Sequence, residues 1–125
     1  MLYINPTDEK QSLNETSEFL AWQLVAYLEA DFLASQMLAD LSPDVPWDVR
    51  KSAAQRLGDC GGDVAVQGLL EHLPSDPFWM VRCAIIQALE RIGDPQAIPT
   101  LNKVAKNDCF RIVQSYAAKA IQRLS

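Results

Sequence analysis

The chain has one histidine, which limits the proton chemistry it could perform. His72 has only Glu71 and Asp76 near it in sequence, so a carboxylate–imidazole pair is the one general acid–base arrangement in reach. A metal site would need further ligands. Cys60, Cys83 and Cys109 are too widely separated to supply a zinc spacing. No phosphate-binding loop occurs, and no nucleophile sits beside a base. His72 therefore reads as a surface histidine, and no catalytic residue, metal ligand or cofactor is expected. Chemistry of another kind, recognition, is left to Trp47 and Trp79 and to the polar residues of the elements that carry them.

Composition narrows the class. Of 125 residues, 49% are hydrophobic and only 5 are Gly, which excludes a disordered chain and suits one domain with a real core. No apolar run is long enough for a membrane helix, and the first residues lack both a basic start and an apolar stretch. Three cysteines suit a reducing compartment. A cytoplasmic, non-exported protein is expected. The net charge of -5 is uneven. Residues 1–48 carry nine acids and one base, whereas 49–125 carry ten bases and seven acids. An acidic end of that kind favours a basic partner.

The positioning elements emerge from an internal repeat. A shift of 32 residues superposes Trp47, Val49, Arg50, Gln55, Leu57, Gly61, Ala65, Leu69 and Asp76 on Trp79, Val81, Arg82, Gln87, Leu89, Gly93, Ala97, Leu101 and Asp108. A second shift carries Val81, Ile85, Leu89 and Ile92 onto Val113, Ala117, Ile121 and Leu124. A fainter backward shift aligns Ala21, Val25, Leu28, Met37 and Asp44 with Ala53, Leu57, Cys60, Leu69 and Asp76.

Within each unit the spacing is helical. Val49, Ala53, Leu57 and Cys60 form one apolar stripe, repeated by Val81, Ile85, Leu89 and Ile92. A second helix carries Ala65, Val66, Leu69 and Leu73, then Ala97, Ile98, Leu101 and Ala105. Gly61 and Gly93 stand where a helix ends left-handed. Asp94 caps the next helix, with Pro95 at its first position, and Asp76-Pro77 repeats the device. Pro99 lies about a turn further in and predicts a slight bend. Cys60 falls in the core stripe and Cys109 in a loop, where it is the more reactive thiol. Helices are expected near 14–28, 31–41, 47–59, 63–73, 78–92, 95–106 and 110–124.

The stretch from Val81 to Leu101, with Val81-Arg82, Gly93-Asp94-Pro95 and Ala97-Ile98-Pro99, resembles the HEAT-like repeat in the short form of phycobilisome lyase subunits. The resemblance implies an all-α fold, an α-solenoid of HEAT-like helical hairpins. It would have about three and a half repeats in a right-handed superhelix. The expected organisation is an N-terminal tail over 1–12 and a single domain over 13–125. Its repeats would lie near 14–43, 44–75 and 76–107, with a half repeat at 108–125. The resemblance also implies an Asp–Arg ladder along the stack from Asp76, Asp108, Arg50 and Arg82.

Function then moves to the surface. Solenoids of this type bind proteins on the concave face, which the second helices line. The residues expected there are Gln36, Gln67, Gly68, Glu71, His72, Thr100 and Lys103. Gly68 sits inside a helix, where it costs about 1 kcal/mol relative to Ala, and close approach by a partner would explain it. Trp47 and Trp79, one repeat apart, are either staples at helix entry or candidate aromatic contacts, with Arg111 breaking the row. The reading is a protein-binding adaptor or assembly factor, expected to be a monomer, with the basic helix 110–124 as its cap. The alternative oligomer stacks that basic end on the acidic end of a second copy. The alternative function, a bilin lyase subunit or phycobiliprotein chaperone, would bring a bilin, but offers only Lys103 and Lys106 for its propionates. One histidine excludes the iron-dependent hydroxylases built on such repeats. A sequence pI near 4.7 argues against nucleic acid.

Overall fold

A computed structural model describes the backbone from Pro6 and side chains from Ser17 onward. The first five residues of the expected tail lie outside the described residues. From Pro6 the chain is already helical rather than tail-like: α1 runs unbroken from Pro6 to Ala39. The expected break between 28 and 31 does not occur, so the unit near 14–43 is not a hairpin. The reason is local. From Gln11 to Ala39 there is no Gly or Pro, and Glu29-Ala30 at the expected break are good helix formers.

Five further helices follow: α2 (Trp47–Cys60), α3 (Gly62–His72), α4 (Trp79–Ile92), α5 (Ile98–Asn107) and α6 (Arg111–Leu124). Single 3-10 turns at Leu73–Ser75 and Pro95–Ala97 end α3 and precede α5. Among the described residues every regular element is helical. The chain divides into two compact units, Met1–Ala30 and Asp31–Ser125, with the boundary inside α1.

The second unit is built around α4, which packs against both α2 and α6, while α5 packs on α6. The expected stripes form its core, with Ala53, Leu57, Val81, Ile85, Leu89, Val113 and Ala117 all buried. From the second helices, Ala65, Val66, Leu69, Leu73, Ala97 and Leu101 join them. The stripe ends differ. Val49 is 40% exposed, lining a hollow with Asp40 and Arg56, and Cys60, the last residue of α2, is exposed rather than packed. Cys83 is the buried cysteine, and burial pushes its thiol up from the usual value.

Turn chemistry follows the sequence closely. Gly93 ends α4 with φ 79° and donates its N–H to the Leu89 carbonyl at 3.1 Å. The Asp94 carboxylate accepts the Gln96 N–H at 3.0 Å, and Pro95 follows the cap. Pro99 produces no mid-helix bend. The preceding turn is 3-10, so Pro99 falls in the first turn of α5, where its missing N–H needs no partner.

Candidate protein-binding surface

The entries to α4 and α6 are built by one device used twice. Asp76 Oδ1 accepts the Phe78 N–H at 2.9 Å, and Asp108 Oδ1 accepts the Phe110 N–H at 2.9 Å. The same carboxylates take an arginine from the preceding unit. Arg50 Nε donates to Asp76 Oδ2 at 3.0 Å, and Arg82 Nε donates to Asp108 Oδ2 at 2.8 Å. A second guanidinium nitrogen reaches the other oxygen in each pair, at 3.3 and 3.1 Å. The fork-to-fork fit makes these the strong class of ion pair. Arg82 also donates to the Asp76 carbonyl at 2.8 Å. At the next repeat position Gln114 donates to the Asp108 carbonyl at 2.7 Å, keeping the backbone contact and dropping the charge.

Burial alone would raise the Asp76 carboxyl. Hydrogen bonds from Arg50, the Phe78 N–H and His72 outweigh it and hold the group below the usual carboxylate range. Burial likewise opposes the Arg82 charge, and Asp108 more than restores it. The ladder is therefore a structural spine.

Beside it runs a row of rings longer than the sequence suggested. Trp47 meets Phe78 at 4.8 Å between centroids, Phe78 meets Trp79 at 6.4 Å, and Trp79 meets Phe110 at 6.3 Å. Arg111 does not break it, because Phe110, one residue earlier, continues the line. Phe78 and Phe110 went unnoticed in the sequence, although they too are 32 residues apart. The Arg82 guanidinium lies 5.8 Å from the Phe110 ring centre. Trp47 and Phe110, at the ends, are exposed, while Phe78 and Trp79 are partly covered.

The second helices carry a shallow depression of about 260 Å³, lined by Leu38, Leu41, Gly68, Glu71, His72 and Ser75. A Cβ at Gly68 would lie 2.2 Å from Leu38 Cδ2. The close approach that explains this glycine comes from α1 of the same chain, where an outside partner was expected. His72 faces two ways. It lines the depression, and its Nε2 lies 2.7 Å from Asp76 Oδ2. Ser75, His72 and Asp76 have the residue types of a hydrolytic triad but different wiring. The Ser75 hydroxyl donates to the His72 backbone carbonyl at 3.0 Å, not to its ring. Among the described residues no His, Cys, Asp and Glu cluster has metal-ligand geometry.

The model for HEAT repeats matches residues 32–122. The chain belongs to the HEAT-repeat family. No curated protein matches it. The family match begins within α1, close to the boundary between the two compact units.

Of the residues expected on the HEAT binding face, Gly68, Glu71 and His72 come together in the depression. Gln67 does not line it, and its side chain donates to Gln96 at 2.5 Å, tying α3 to the turn before α5. Gln36 lies elsewhere, in a hollow of about 390 Å³ with Leu33, Met37, Asp40, Arg56 and Asp59. Thr100 and Lys103 stand on α5 outside both hollows. Leu38, Leu41 and Ser75 were missed. Nothing in their residue type marks the two leucines as surface, and only the approach of Leu38 to Gly68 across the helices places them in the depression.

Proposed function

We propose that the chain is a protein-interaction scaffold, an adaptor or assembly factor. Its partner docks on the face carried by α3 and α5, the concave side of a right-handed solenoid. One observation carries this reading. Three residues expected to bind converge on a depression whose floor is apolar, with Leu38 and Leu41, and whose rim is polar, with Glu71, His72 and Ser75. That pattern of apolar centre and polar rim is how protein interfaces are built. His72 on the rim is held by the buried Asp76, and Leu38 on the floor packs against Gly68.

The test pairs two charge reversals on exposed residues. Glu71→Lys with Lys103→Glu should weaken capture of the native partner by about tenfold or more while leaving helical circular dichroism and melting unchanged. Binding that survives these changes but is lost on substituting Trp47 and Trp79 would move the interface to the aromatic row. The kinship with phycobilisome lyase subunits, suggested by Gly93-Asp94-Pro95 and Ala97-Ile98-Pro99, supports a runner-up with a bilin as cargo. A site-specific covalent adduct, formed when the protein is mixed with free bilin and an apo-phycobiliprotein, would replace the scaffold reading.

A further inference from the structure

The repeat register that makes Ala53 and Leu57 core residues of α2 gives Ala21 and Val25 the same place in α1, and gives Leu28 the place of Cys60. Leu57 is fully buried, whereas its counterpart Val25 is 51% exposed, and Leu28, in the place of the exposed Cys60, is 56% exposed. The excess extends beyond that stripe. Phe19, Trp22, Phe32 and Leu33 are between 52% and 74% exposed. Leu20, Leu24 and Tyr27, 59–64% exposed, fall on the opposite half of the helix at 100° per residue, so that together these side chains surround the axis. A helix that is apolar on all sides is ordinarily a buried helix. The uncovered side chains of residues 17–33 present on the order of 800 Å², more than a typical monomer's largest patch and about one partner's share of a stable interface. Among the described residues no helix is long and apolar enough to cross a membrane.

Charge indicates what covers it. Residues 17–33 carry Glu18, Glu29 and Asp31 and no base. Two such helices side by side would bring like charges together, so the surface that receives α1 must be positive and apolar. The second unit offers such a surface. Between α4 and α6 runs a groove whose first stretch, about 240 Å³, is lined by Trp79, Met80, Ile112 and Tyr116. Through Gln87 and Tyr116 it continues into a wider stretch of about 500 Å³ lined by Glu90, Arg91, Lys119 and Arg123. Arg91 pairs with Asp59 and Arg123 with Glu90, so the excess positive charge comes from Lys119 here and from Lys51 in the first stretch. Each wall is a 14-residue helix, about 21 Å long, and residues 17–33 span about 26 Å.

We propose that the protein self-associates, with α1 of one copy lying in the α4–α6 groove of another. The contact uses different surfaces from the α3 face and does not rest on the scaffold reading. It departs from the monomer expected from the sequence. Because helix and groove are distinct patches, reciprocal exchange closes a dimer, and one-way addition gives a ring or filament.

Sedimentation velocity on the full chain, from low to high micromolar concentration, tests it. The expected result is a concentration-dependent mass above 13.9 kDa. Lys119→Glu with Arg123→Glu in the groove, and separately Glu18→Lys with Glu29→Lys on α1, should each weaken association by roughly tenfold or more. An equimolar mixture of the two variants should regain it, because the reversed helix then meets a reversed groove. All four positions are on the surface, and the pair that Arg123→Glu breaks, with Glu90, is of the exposed kind that contributes little to stability, so circular dichroism should match the wild type and melting should stay close to it. A mass of 13.9 kDa at every concentration overturns the proposal. So does association that ignores either reversal, or a mixture that fails to recover.

Discussion

Asp76 is where most of the chain's local logic meets. One carboxylate caps the entry to α4, receives Arg50 from the preceding unit and holds His72, and its side chain is fully screened from solvent. Asp76→Asn keeps the shape but leaves the Arg50 guanidinium buried without its counter-charge. Breaking a buried pair from one side costs about 3–5 kcal/mol, and urea unfolding at neutral pH should show a loss of that order. The pH dependence has a definite sign. A carboxyl held below its ordinary value contributes stability that is present above the unfolded value near 3.9 and is lost as pH falls through the lower folded value. The gap between wild type and Asp76→Asn should therefore be full at neutral pH and narrow below about pH 4. A gap unchanged at pH 3 would show that the charge of Asp76 is not what matters.

Between helices, the glycines report how closely the backbones approach. Gly58 sits inside α2, where Ala would be the better helix former by about 1 kcal/mol. Yet a Cβ there would lie 2.9 Å from both Cα and Cβ of Ala88, and a backbone cannot swing aside. Gly58→Ala should therefore destabilise, by about 1–3 kcal/mol, through forced separation of α2 and α4. At Gly68 the obstruction is the tip of Leu38, which can turn away, so Gly68→Ala should cost less. Thermal melting of the two variants orders them, and a stabilised Gly58→Ala would refute the close crossing. Intrinsic propensity alone predicts the opposite sign at both positions, so the comparison isolates packing.

Within residues 31–125 stability should be graded, because in stacked repeats each unit is supported mainly by its neighbours. α4 has a helix on both sides, α2 and α6, and buries Val81, Ile85 and Leu89 almost completely. Its amides should exchange slowest in hydrogen-exchange mass spectrometry, with α2 and α6 less protected. Ile85→Ala should cost about 2–5 kcal/mol and lower protection throughout the second unit. Protection that peaks in α6 would place the centre of cooperativity elsewhere.

How much the sequence determined depends on the range of the interaction. The 32-residue repeat, the helical stripes, the stop at Gly93 and the cap at Asp94 were legible because each is set by residues within a turn or two. The Asp–Arg pairs, 26 residues apart, were readable through the family resemblance, since the repeat carries both partners at fixed positions. The continuity of α1 was open to the sequence as well, in the lack of any helix breaker from Gln11 to Ala39, although the regular repeat argued for a break. The tertiary structure alone decided the rest. That Gly68 yields to Leu38, and that Phe78 and Phe110 complete an aromatic row, depend on which surfaces meet across helices. A local pattern assigns a residue to a face of its helix. Only packing decides what lies opposite that face, because the contact is made by a segment distant in sequence.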